Sequence, residues 1–247
     1  MSGWPYPRWI AHRGAGKLAP ENTLAAFKLG ASHGYRMFEC DVKLSADDVL
    51  FLLHDATLER TSNGKGDARA LDWNTLSGLD AGSWHSAAFA GEPLARLETI
   101  ARYCLDNQFF LNIEIKPTPG LEGPTGTAVA NAAAGLWSAG ITPPLLTSFQ
   151  PASLEAARIA QPQLPRGLLR DSLDPGWLDT AVRLDCAAVV CNYRLWNEAT
   201  VRQAKDAGLR TLCYTANESA AVQAMLALGL DGIITDQVHV FKPDDQH

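Results

Sequence analysis

Short apolar runs alternate with helix-like stretches along the whole chain, and this alternation restricts the fold more than any other feature of the sequence. The runs are four to eight residues long and are rich in β-branched or aromatic residues, so they predict strands. Nine strands are predicted, over residues 9–12, 37–43, 49–54, 109–116, 145–149, 166–169, 187–193, 210–215 and 232–235. Helices are predicted over residues 22–33, 97–107, 125–139, 152–160, 176–184, 198–207 and 218–228. Strands separated by helices are typical of a parallel sheet with crossover helices.

The second and third predicted strands are separated only by Ser45 to Asp48, which is too short for a parallel crossover. We therefore expect the third strand to turn back on the second, which leaves eight parallel strands. A length of 247 residues then favours a TIM (β/α)8 barrel of the α/β class. A doubly wound open sheet is the alternative, but no Gly-rich turn opens a helix after the first strand.

Residues 56–93 interrupt the alternation of strands and helices. The segment holds five glycines and shows little regular periodicity. It predicts a small inserted subdomain after the second barrel strand, lying over one end of the barrel. The whole chain, residues 1–247, is expected to form a single domain.

The charge and cysteine content restrict the partners and the compartment. The net charge is −6, from 21 basic and 27 acidic residues, and no basic stripe is present, which argues against nucleic acid and anionic membranes as partners. The five cysteines are odd in number and scattered, which indicates reduced core thiols. The first ten residues lack the apolar centre of a signal peptide, and no apolar run approaches the roughly 18 residues that span a bilayer. We expect a cytoplasmic protein without stable membrane association, and the oligomeric state stays open.

Three carboxylates lie on predicted strands and face the same way as other polar residues. Side chains alternate along a strand, so Glu39 and Asp41 share one face, as do Asn112, Glu114 and Lys116. Carboxylates at strand ends also serve as helix caps or surface ion pairs. Each close pair of charges would repel by about 4 kcal/mol at an effective dielectric of 20, and a divalent cation offsets that repulsion. We therefore predict an all-oxygen metal site for Mg²⁺ or Ca²⁺ at Glu39, Asp41 and Glu114.

Two histidines each end a predicted strand, at the rim where barrel enzymes carry their chemistry. They are His12 and His54. A histidine in this position is as often a structural hydrogen-bonded residue as a catalyst. Beside a metal and Arg13, however, two histidines on opposite sides of a reacting centre would serve as base and acid. The remaining histidines are expected at the surface, and they are His33, His85, His239 and His247.

Several short motifs follow one another in the first half of the chain. They are His12-Arg13-Gly14, Ala19-Pro20-Glu21-Asn22-Thr23, Glu39-Cys40-Asp41-Val42, His54-Asp55 and Glu114-Ile115-Lys116. Together this series resembles the glycerophosphodiester phosphodiesterase family, in its cytoplasmic bacterial type. Weaker similarities follow in Thr147-Ser148-Phe149, Tyr214-Thr215 and Thr235-Asp236. The family commonly has Trp where this chain has Tyr214, so the wall against the glycerol is expected to differ.

The resemblance implies a metal-dependent TIM-barrel hydrolase that converts glycerophosphodiesters to sn-glycerol 3-phosphate and an alcohol. It implies that the three carboxylates hold the metal and that the two histidines carry protons. It also implies that Arg13 and Lys116 bind the phosphate. Fixed positive charges at that position would stabilise the negative charge that develops in the transition state. The nucleophile is either water or the substrate's neighbouring hydroxyl, which would form a cyclic phosphate first.

Further residues are expected around this site. Glu21 and Asn22 are expected to support it or to cap the first helix, and the residue type of Asn22 favours the cap. Four aromatic residues are candidates for the glycerol or headgroup pocket, and they are Trp84, Phe149, Trp196 and Tyr214. Of these, Phe149 and Tyr214 are the predicted substrate contacts. Most aromatic residues near barrel ends serve packing instead.

Two other functions compete with this prediction. One is a phospholipase-type lyase that stops at the cyclic phosphate and acts on membrane lipid, but no basic amphipathic helix is found outside the insertion, which would have to supply the docking loop. The other is an inactive sensor that binds a glycerophosphodiester. Binding alone needs no pair of proton-transferring histidines, which argues against the sensor. The preferred headgroup alcohol is open in each case.

Overall fold

The computed structural model describes residues 3–243 and contains a closed barrel of eight parallel strands. The nine strands are β1 (Trp9–Ala11), β2 (Met37–Leu44), β3 (Leu50–Leu52), β4 (Phe110–Ile115), β5 (Leu145–Ser148), β6 (Arg166–Arg170), β7 (Ala188–Asn192), β8 (Arg210–Tyr214) and β9 (Gly232–Thr235). The sheet runs in the order β1, β9, β8, β7, β6, β5, β4, β2, β3, and an added pairing of β1 with β2 closes it. In that closure Ala11 pairs with both Phe38 and Thr235. The predicted TIM barrel is confirmed.

The helices connect successive strands on the outside of the barrel. They are α1 (Leu24–Ser32), α2 (Trp73–Leu76), α3 (Leu97–Asp106), α4 (Glu122–Leu136), α5 (Pro151–Ala160), α6 (Trp177–Arg183), α7 (Glu198–Asp206) and α8 (Ser219–Ala227). All seven predicted helices and nine predicted strands are present, with ends that differ by at most three residues. Among the α-helices of residues 3–243, only the four-residue α2 lies outside the predicted elements, within the insertion.

Of the nine strands, β3 is the one that is not part of the closed barrel. It pairs antiparallel with β2, and Val42 lies opposite Leu52. The predicted hairpin is therefore confirmed. It turns the chain back at the mouth of the barrel, so that the insertion starts there.

The insertion, residues 56–93, contains α2 and two 3₁₀ helices, Ala68–Ala70 and Ala87–Phe89. It buries its own apolar cluster against the end of the hairpin. The cluster contains Phe51, Leu53, Leu58, Ala68, Leu76, Ala81 and Leu94. A separate cluster of this kind is what an inserted subdomain needs in order to hold its shape beside the barrel. That residues 1–247 form a single domain stays a prediction.

Strand alternation divides the core into two layers. Phe38, Cys40 and Val42 of β2 point outward and pack with the helices. Met37 points inward and joins the apolar filling of the barrel interior. Tyr6 belongs to the same interior cluster, and its hydroxyl donates to the Pro143 carbonyl oxygen at 2.8 Å. Apolar residues thus fill the part of the barrel interior that is far from the mouth. The polar side chains that point inward lie nearer the mouth.

All five cysteines are buried free thiols, as predicted. Among residues 3–243, no helix has both the length and the apolar composition needed to cross a bilayer. His239 is exposed, as expected, whereas His33 and His85 are partly buried. His247 lies outside the described residues. The cytoplasmic compartment stays a prediction.

Candidate active site

A pocket of about 230 Å³ opens at the carboxyl ends of the barrel strands. Its walls are formed by His12, Arg13, Glu39, His54, Asn112, Glu114, Lys116, Thr147, Phe149, Leu169, Tyr214, Thr215 and Ile234. Eight of the nine site residues predicted from the sequence line this pocket. The ninth, Asp41, is buried and contacts residues of the wall. The residues come from different strands, and the closed barrel brings their ends together.

The three predicted carboxylates form one cluster. One oxygen each of Glu39, Asp41 and Glu114 lies within 4.8 Å of the others. All three residues are buried, at 3%, 1% and 9% exposure. Glu39 and Asp41 lie together because they are two residues apart on β2. Glu114 joins them because its Cα pairs with that of Asp41 across the strands β2 and β4.

Two cations contact this carboxylate cluster. The Nε atom of Arg13 lies 3.2 Å from Oδ2 of Asp41. The Nζ atom of Lys116 lies 3.3 Å from Oδ1 of Asp41 and 2.9 Å from Oε1 of Glu114. Arg13 and Lys116 therefore offset part of the repulsion among the three carboxylates.

The pKa values in the cluster diverge. Burial would raise the pKa of Asp41, but Lys116 and Arg13 outweigh burial and hold that pKa well below its ordinary value. Burial, with the nearby charge of Asp41, raises the pKa of Glu39 to about 8. Burial and Asp41 also raise the pKa of Glu114, against the opposing effect of Lys116. A further positive charge would therefore stabilise the ionised forms of both Glu39 and Glu114.

The donor set of the cluster fits a hard divalent cation. All the donors are carboxylate oxygens, which Mg²⁺ and Ca²⁺ prefer. Oε2 of Glu39 accepts from the backbone N–H of Arg13 at 3.0 Å, whereas its Oε1 is buried without a hydrogen-bond partner. A buried acceptor without a donor is costly, and a bound cation would satisfy it.

His12 is held by a carboxylate that directly follows the last barrel strand. Its Nδ1 lies 2.6 Å from Oδ1 of Asp236, and its Nε2 lies 3.8 Å from Oε2 of Glu39. Asn217 fixes Asp236 in turn, since the side-chain amide of Asn217 donates to Oδ2 at 2.8 Å. Burial lowers the pKa of His12, but Asp236 and Glu39 outweigh burial and leave the pKa raised.

His54 is held in the same way by the next residue in the chain. Its Nδ1 lies 2.6 Å from Oδ1 of Asp55. Burial, with the charges of Arg13 and Lys116, outweighs the raising effects of Asp41 and Asp55 and leaves the pKa of His54 lowered. The pKa of His54 therefore lies below that of His12, so between these two values the pair holds one proton, on His12. In both residues the carboxylate engages Nδ1 and leaves Nε2 for other partners.

The loop after β1, which carries His12 and Arg13, packs with its backbone directly against the backbone at the end of β9. Gly16 has φ +59°, and a Cβ atom there would lie 2.2 Å from the carbonyl oxygen of Asp236. Only glycine fits this position without moving the backbone. The loop that carries His12 and Arg13 is thereby held beside Asp236.

Asn22 does not cap the first helix, so that prediction is wrong. Thr23 is the N-cap of α1, and its hydroxyl accepts from the Ala26 N–H at 3.3 Å. Asn22 has φ +62°, which directs its side chain toward β2 instead. Its amide donates to Oδ2 of Asp41 at 2.9 Å, and its Oδ1 accepts from the backbone N–H of Asp41 at 3.1 Å. Asn22 therefore supports the carboxylate cluster, which was the alternative expectation.

The four aromatic candidates separate into two groups. Phe149 and Tyr214 line the pocket and contact each other edge to face, with ring centroids 5.6 Å apart. The Tyr214 hydroxyl donates to the Arg170 carbonyl oxygen at 3.0 Å. Trp84 lies in the insertion, and Trp196 is buried in the helical layer. Neither tryptophan lines the pocket described here.

Several residues of the site were not singled out from the sequence. Asp55 and Asp236 were part of the sequence motifs, but their role in holding the two histidines was not predicted. Asn112 was placed on the correct face, but its amide nitrogen is buried in the pocket wall without a partner. Arg60 lies in the insertion, where no periodic pattern pointed to a function. It contacts both Glu21 and Asp55.

Comparison with known proteins identifies the family. The sequence model of the glycerophosphoryl diester phosphodiesterase family matches residues 12–240. The chain belongs to this family. It is therefore an enzyme, a phosphoric diester hydrolase.

Individual relatives support this assignment over nearly the whole chain. A glycerophosphodiester phosphodiesterase of Caldanaerobacter subterraneus is 32% identical, and the match covers 92% of this chain and 93% of that protein. YhdW of Bacillus subtilis is also 32% identical and is matched over 96% of this chain and 98% of its own length. The phosphodiesterase of Oleispira antarctica, solved with its product sn-glycerol 3-phosphate, has a TM-score of 0.89 and 31% identity. That match covers 94% of this chain and 93% of the other.

Proposed function

We propose that this enzyme hydrolyses glycerophosphodiesters to sn-glycerol 3-phosphate and an alcohol, using a divalent cation at Glu39, Asp41 and Glu114. His12 and His54 transfer the protons. One observation carries the proposal: a cluster of three carboxylates, two of which line the pocket, lies beside two pocket histidines, each oriented by its own aspartate. Proton transfer requires such orientation, whereas binding alone does not.

The cation would be held by the three clustered carboxylates, and Oε1 of Glu39 is the acceptor still without a partner. When bound, it would supply a fixed double positive charge that polarises the phosphate oxygens. Carboxylate oxygens suit both Mg²⁺ and Ca²⁺, so the proposal covers either ion.

Arg13 and Lys116 provide the positive charge of the protein itself. Both line the pocket, and contacts with Asp41 and other carboxylates hold both in place. A phosphodiester is anionic, and more charge accumulates on its oxygens as the bond to the leaving alcohol breaks. Prearranged cations stabilise that charge without having to move during the reaction.

The two histidines divide the proton transfers. The pKa of His12 is raised and that of His54 is lowered, so one is protonated while the other is neutral over a range of pH. A pair in opposite protonation states can accept a proton from the nucleophile and donate one to the leaving oxygen. The nucleophile is water or the free hydroxyl next to the phosphate, and the two routes differ in whether a cyclic phosphate forms.

The remaining wall of the pocket suits the glycerol carbon atoms. Phe149, Leu169, Tyr214 and Ile234 line the pocket with apolar surface. The Oleispira antarctica relative, which binds sn-glycerol 3-phosphate, supports glycerol phosphate as the part of the substrate that the pocket retains. The partner is then a small molecule. We propose a cytoplasmic location, with neither nucleic acid nor a membrane as partner.

The proposal is tested by incubating the enzyme with glycerophosphocholine and measuring sn-glycerol 3-phosphate with a coupled dehydrogenase. Release is expected with Mg²⁺ or Ca²⁺, loss of release with EDTA, and recovery after the cation is restored. Accumulation of cyclic phosphate as the final product would support the lyase instead. Binding without turnover would support the sensor. Undiminished release after complete removal of divalent cations would contradict the metal site.

A further inference from the structure

Arg60, which lies in the insertion, makes hydrogen bonds to two carboxylates from different parts of the chain. Its Nε and Nη2 atoms donate to the Asp55 carboxylate at 2.5 and 3.1 Å. Its Nη1 and Nη2 atoms donate to the Glu21 carboxylate at 2.8 Å each. One guanidinium group therefore engages four carboxylate oxygens at once. A bidentate contact with a planar guanidinium group fixes each carboxylate in both position and rotation.

Each of these carboxylates holds a different residue of the site. Asp55 orients His54 through the 2.6 Å contact with Nδ1. Oε1 of Glu21 accepts from Nη1 of Arg13 at 2.7 Å, and Arg13 in turn contacts Asp41. A continuous series of contacts thus connects His54 with Arg13, and Arg60 is its centre.

Arg60 lies outside the pocket lining, and its side chain is 44% exposed. It is nonetheless well anchored, because the insertion also contacts the loop and helix after β1 at two other points. Nε2 of His85 lies 3.0 Å from the Lys17 carbonyl oxygen, and Oε1 of Glu92 accepts from the Ala25 N–H at 2.9 Å.

We infer that Arg60 is a positioning residue, through which the insertion sets the orientation of His54 and Arg13 together. The inference rests on the proposed roles of His54 and Arg13 in the reaction. A lysine cannot replace this residue, since an ammonium group is a point charge that cannot form two bidentate contacts. The insertion then has a function in catalysis without contributing a catalytic residue.

The first test measures orientation directly and does not depend on activity. Long-range ¹H–¹⁵N NMR of ¹⁵N-histidine-labelled protein reports which ring nitrogen carries the proton. In the wild type at alkaline pH, we expect the Nδ1–H tautomer at both His12 and His54. In Arg60→Met, we expect His54 to shift toward the Nε2–H tautomer while His12 is unchanged. An unchanged His54 signal would overturn the inference, whether or not the enzyme hydrolyses glycerophosphodiesters.

The second test uses the same variant in the glycerophosphocholine assay. A small displacement of reacting groups lowers rates strongly, so we expect Arg60→Met to reduce kcat/KM by about 10- to 100-fold. Arg69→Met is the matched control, because Arg69 lies in the same insertion and contacts Asp48, 3.0 Å away, outside the site. It should retain kcat/KM within about twofold. Equal losses in both variants would attribute the effect to the insertion as a whole and would overturn the inference.

If Arg60→Met does not fold, the conservative variant Arg60→Lys provides the same test. Arg60→Lys keeps one positive charge and most of the side chain. We expect it to retain the wild-type melting temperature within a few degrees, but to lose at least about fivefold in kcat/KM and to show the altered His54 tautomer. Full activity with an unaltered tautomer in Arg60→Lys would contradict the bidentate role.

Discussion

The Nδ1 atom of His12 lies 2.6 Å from Oδ1 of Asp236, which is 224 positions later in the chain. The first and last strands of the barrel bring the two residues together, since β1 and β9 are paired neighbours. The carboxylate accepts a hydrogen bond from Nδ1 and thereby fixes the ring so that Nε2 is available to the reaction. Closure of the barrel is therefore also what completes this part of the site.

Replacing Asp236 with Asn should lower turnover without unfolding the protein. The amide is similar in shape to the carboxylate but favours the wrong tautomer of His12 and cannot stabilise its protonated form. We expect kcat to fall by about 10²- to 10⁴-fold in the glycerophosphocholine assay. Asp231→Asn serves as the control, because Asp231 precedes β9 and binds Arg210 and Thr211 at the opposite end of the barrel. A control loss equal to that of Asp236→Asn would contradict the orienting role.

Removal of either histidine of the pair should lower the turnover rate and leave cation binding intact. His12→Ala and His54→Ala should each lower kcat by about 10²- to 10⁴-fold, as expected for loss of acid or base assistance. His54→Ala should still gain thermal stability when Mg²⁺ or Ca²⁺ is added. The exposed His239 provides the control variant His239→Ala. Near-normal turnover in both site variants would show that other groups carry the protons.

The cation-free protein should lose stability as the pH rises, because of Glu39. The pKa of this carboxyl is raised from 4.5 to about 8 by burial and by Asp41. Between these values the folded state binds a proton that the unfolded state does not, so the contribution to stability is full below about pH 4.5 and is lost as the pH rises through about 8.

Thermal melting in EDTA at several pH values between 5 and 9 checks this expectation. The melting temperature of the wild type should fall over this range, and the fall should be smaller in Glu39→Gln, which cannot ionise at this position. Added Mg²⁺ should also reduce the fall, because a cation bound to the folded state favours the ionised carboxylate. Parallel curves for the wild type and Glu39→Gln would mean that Glu39 keeps an ordinary pKa.

Truncation of the apolar wall should affect substrate binding more than turnover. Phe149→Ala removes a ring that lines the pocket and that lies 6.0 Å from Nζ of Lys116. We expect KM for glycerophosphocholine to rise about 10-fold, in line with the roughly 1.5 kcal/mol lower limit for burying a large apolar side chain. Tyr214→Phe keeps its ring and loses only the contact with Arg170, so its KM should stay within about twofold. An unchanged KM in Phe149→Ala would place the glycerol elsewhere.

Local patterns in the sequence were sufficient to predict the fold and the inward carboxylates. Period-two alternation in β2 distinguishes Phe38 and Cys40, which pack outward, from Glu39 and Asp41, which belong to the inward carboxylate cluster. The turn at Ser45 to Asp48 was sufficient to identify β3 as the strand outside the barrel. These predictions succeeded because each depends on the spacing of residues close together in the chain.

The contacts that orient the site were harder to predict, since they depend on distant residues and on backbone conformation. The positive φ of Asn22 is not encoded by helix-capping preference, and it redirects the side chain from the helix to Asp41. Arg60 lies in a segment without periodicity, and its function depends on where the insertion meets Glu21. Such positions become evident only once the three-dimensional arrangement is known.

Calorimetric titration of EDTA-treated protein with Mg²⁺ or Ca²⁺ shows whether Glu39, Asp41 and Glu114 form one cation site. The wild type should bind one ion. Glu114→Gln should bind at least about tenfold more weakly because it loses a charged ligand. Glu98→Gln, at an exposed ion pair with Arg102, should bind as the wild type does. Wild-type affinity and stoichiometry in Glu114→Gln, or no binding of either ion by the wild type, would contradict a cation site shared by the three carboxylates.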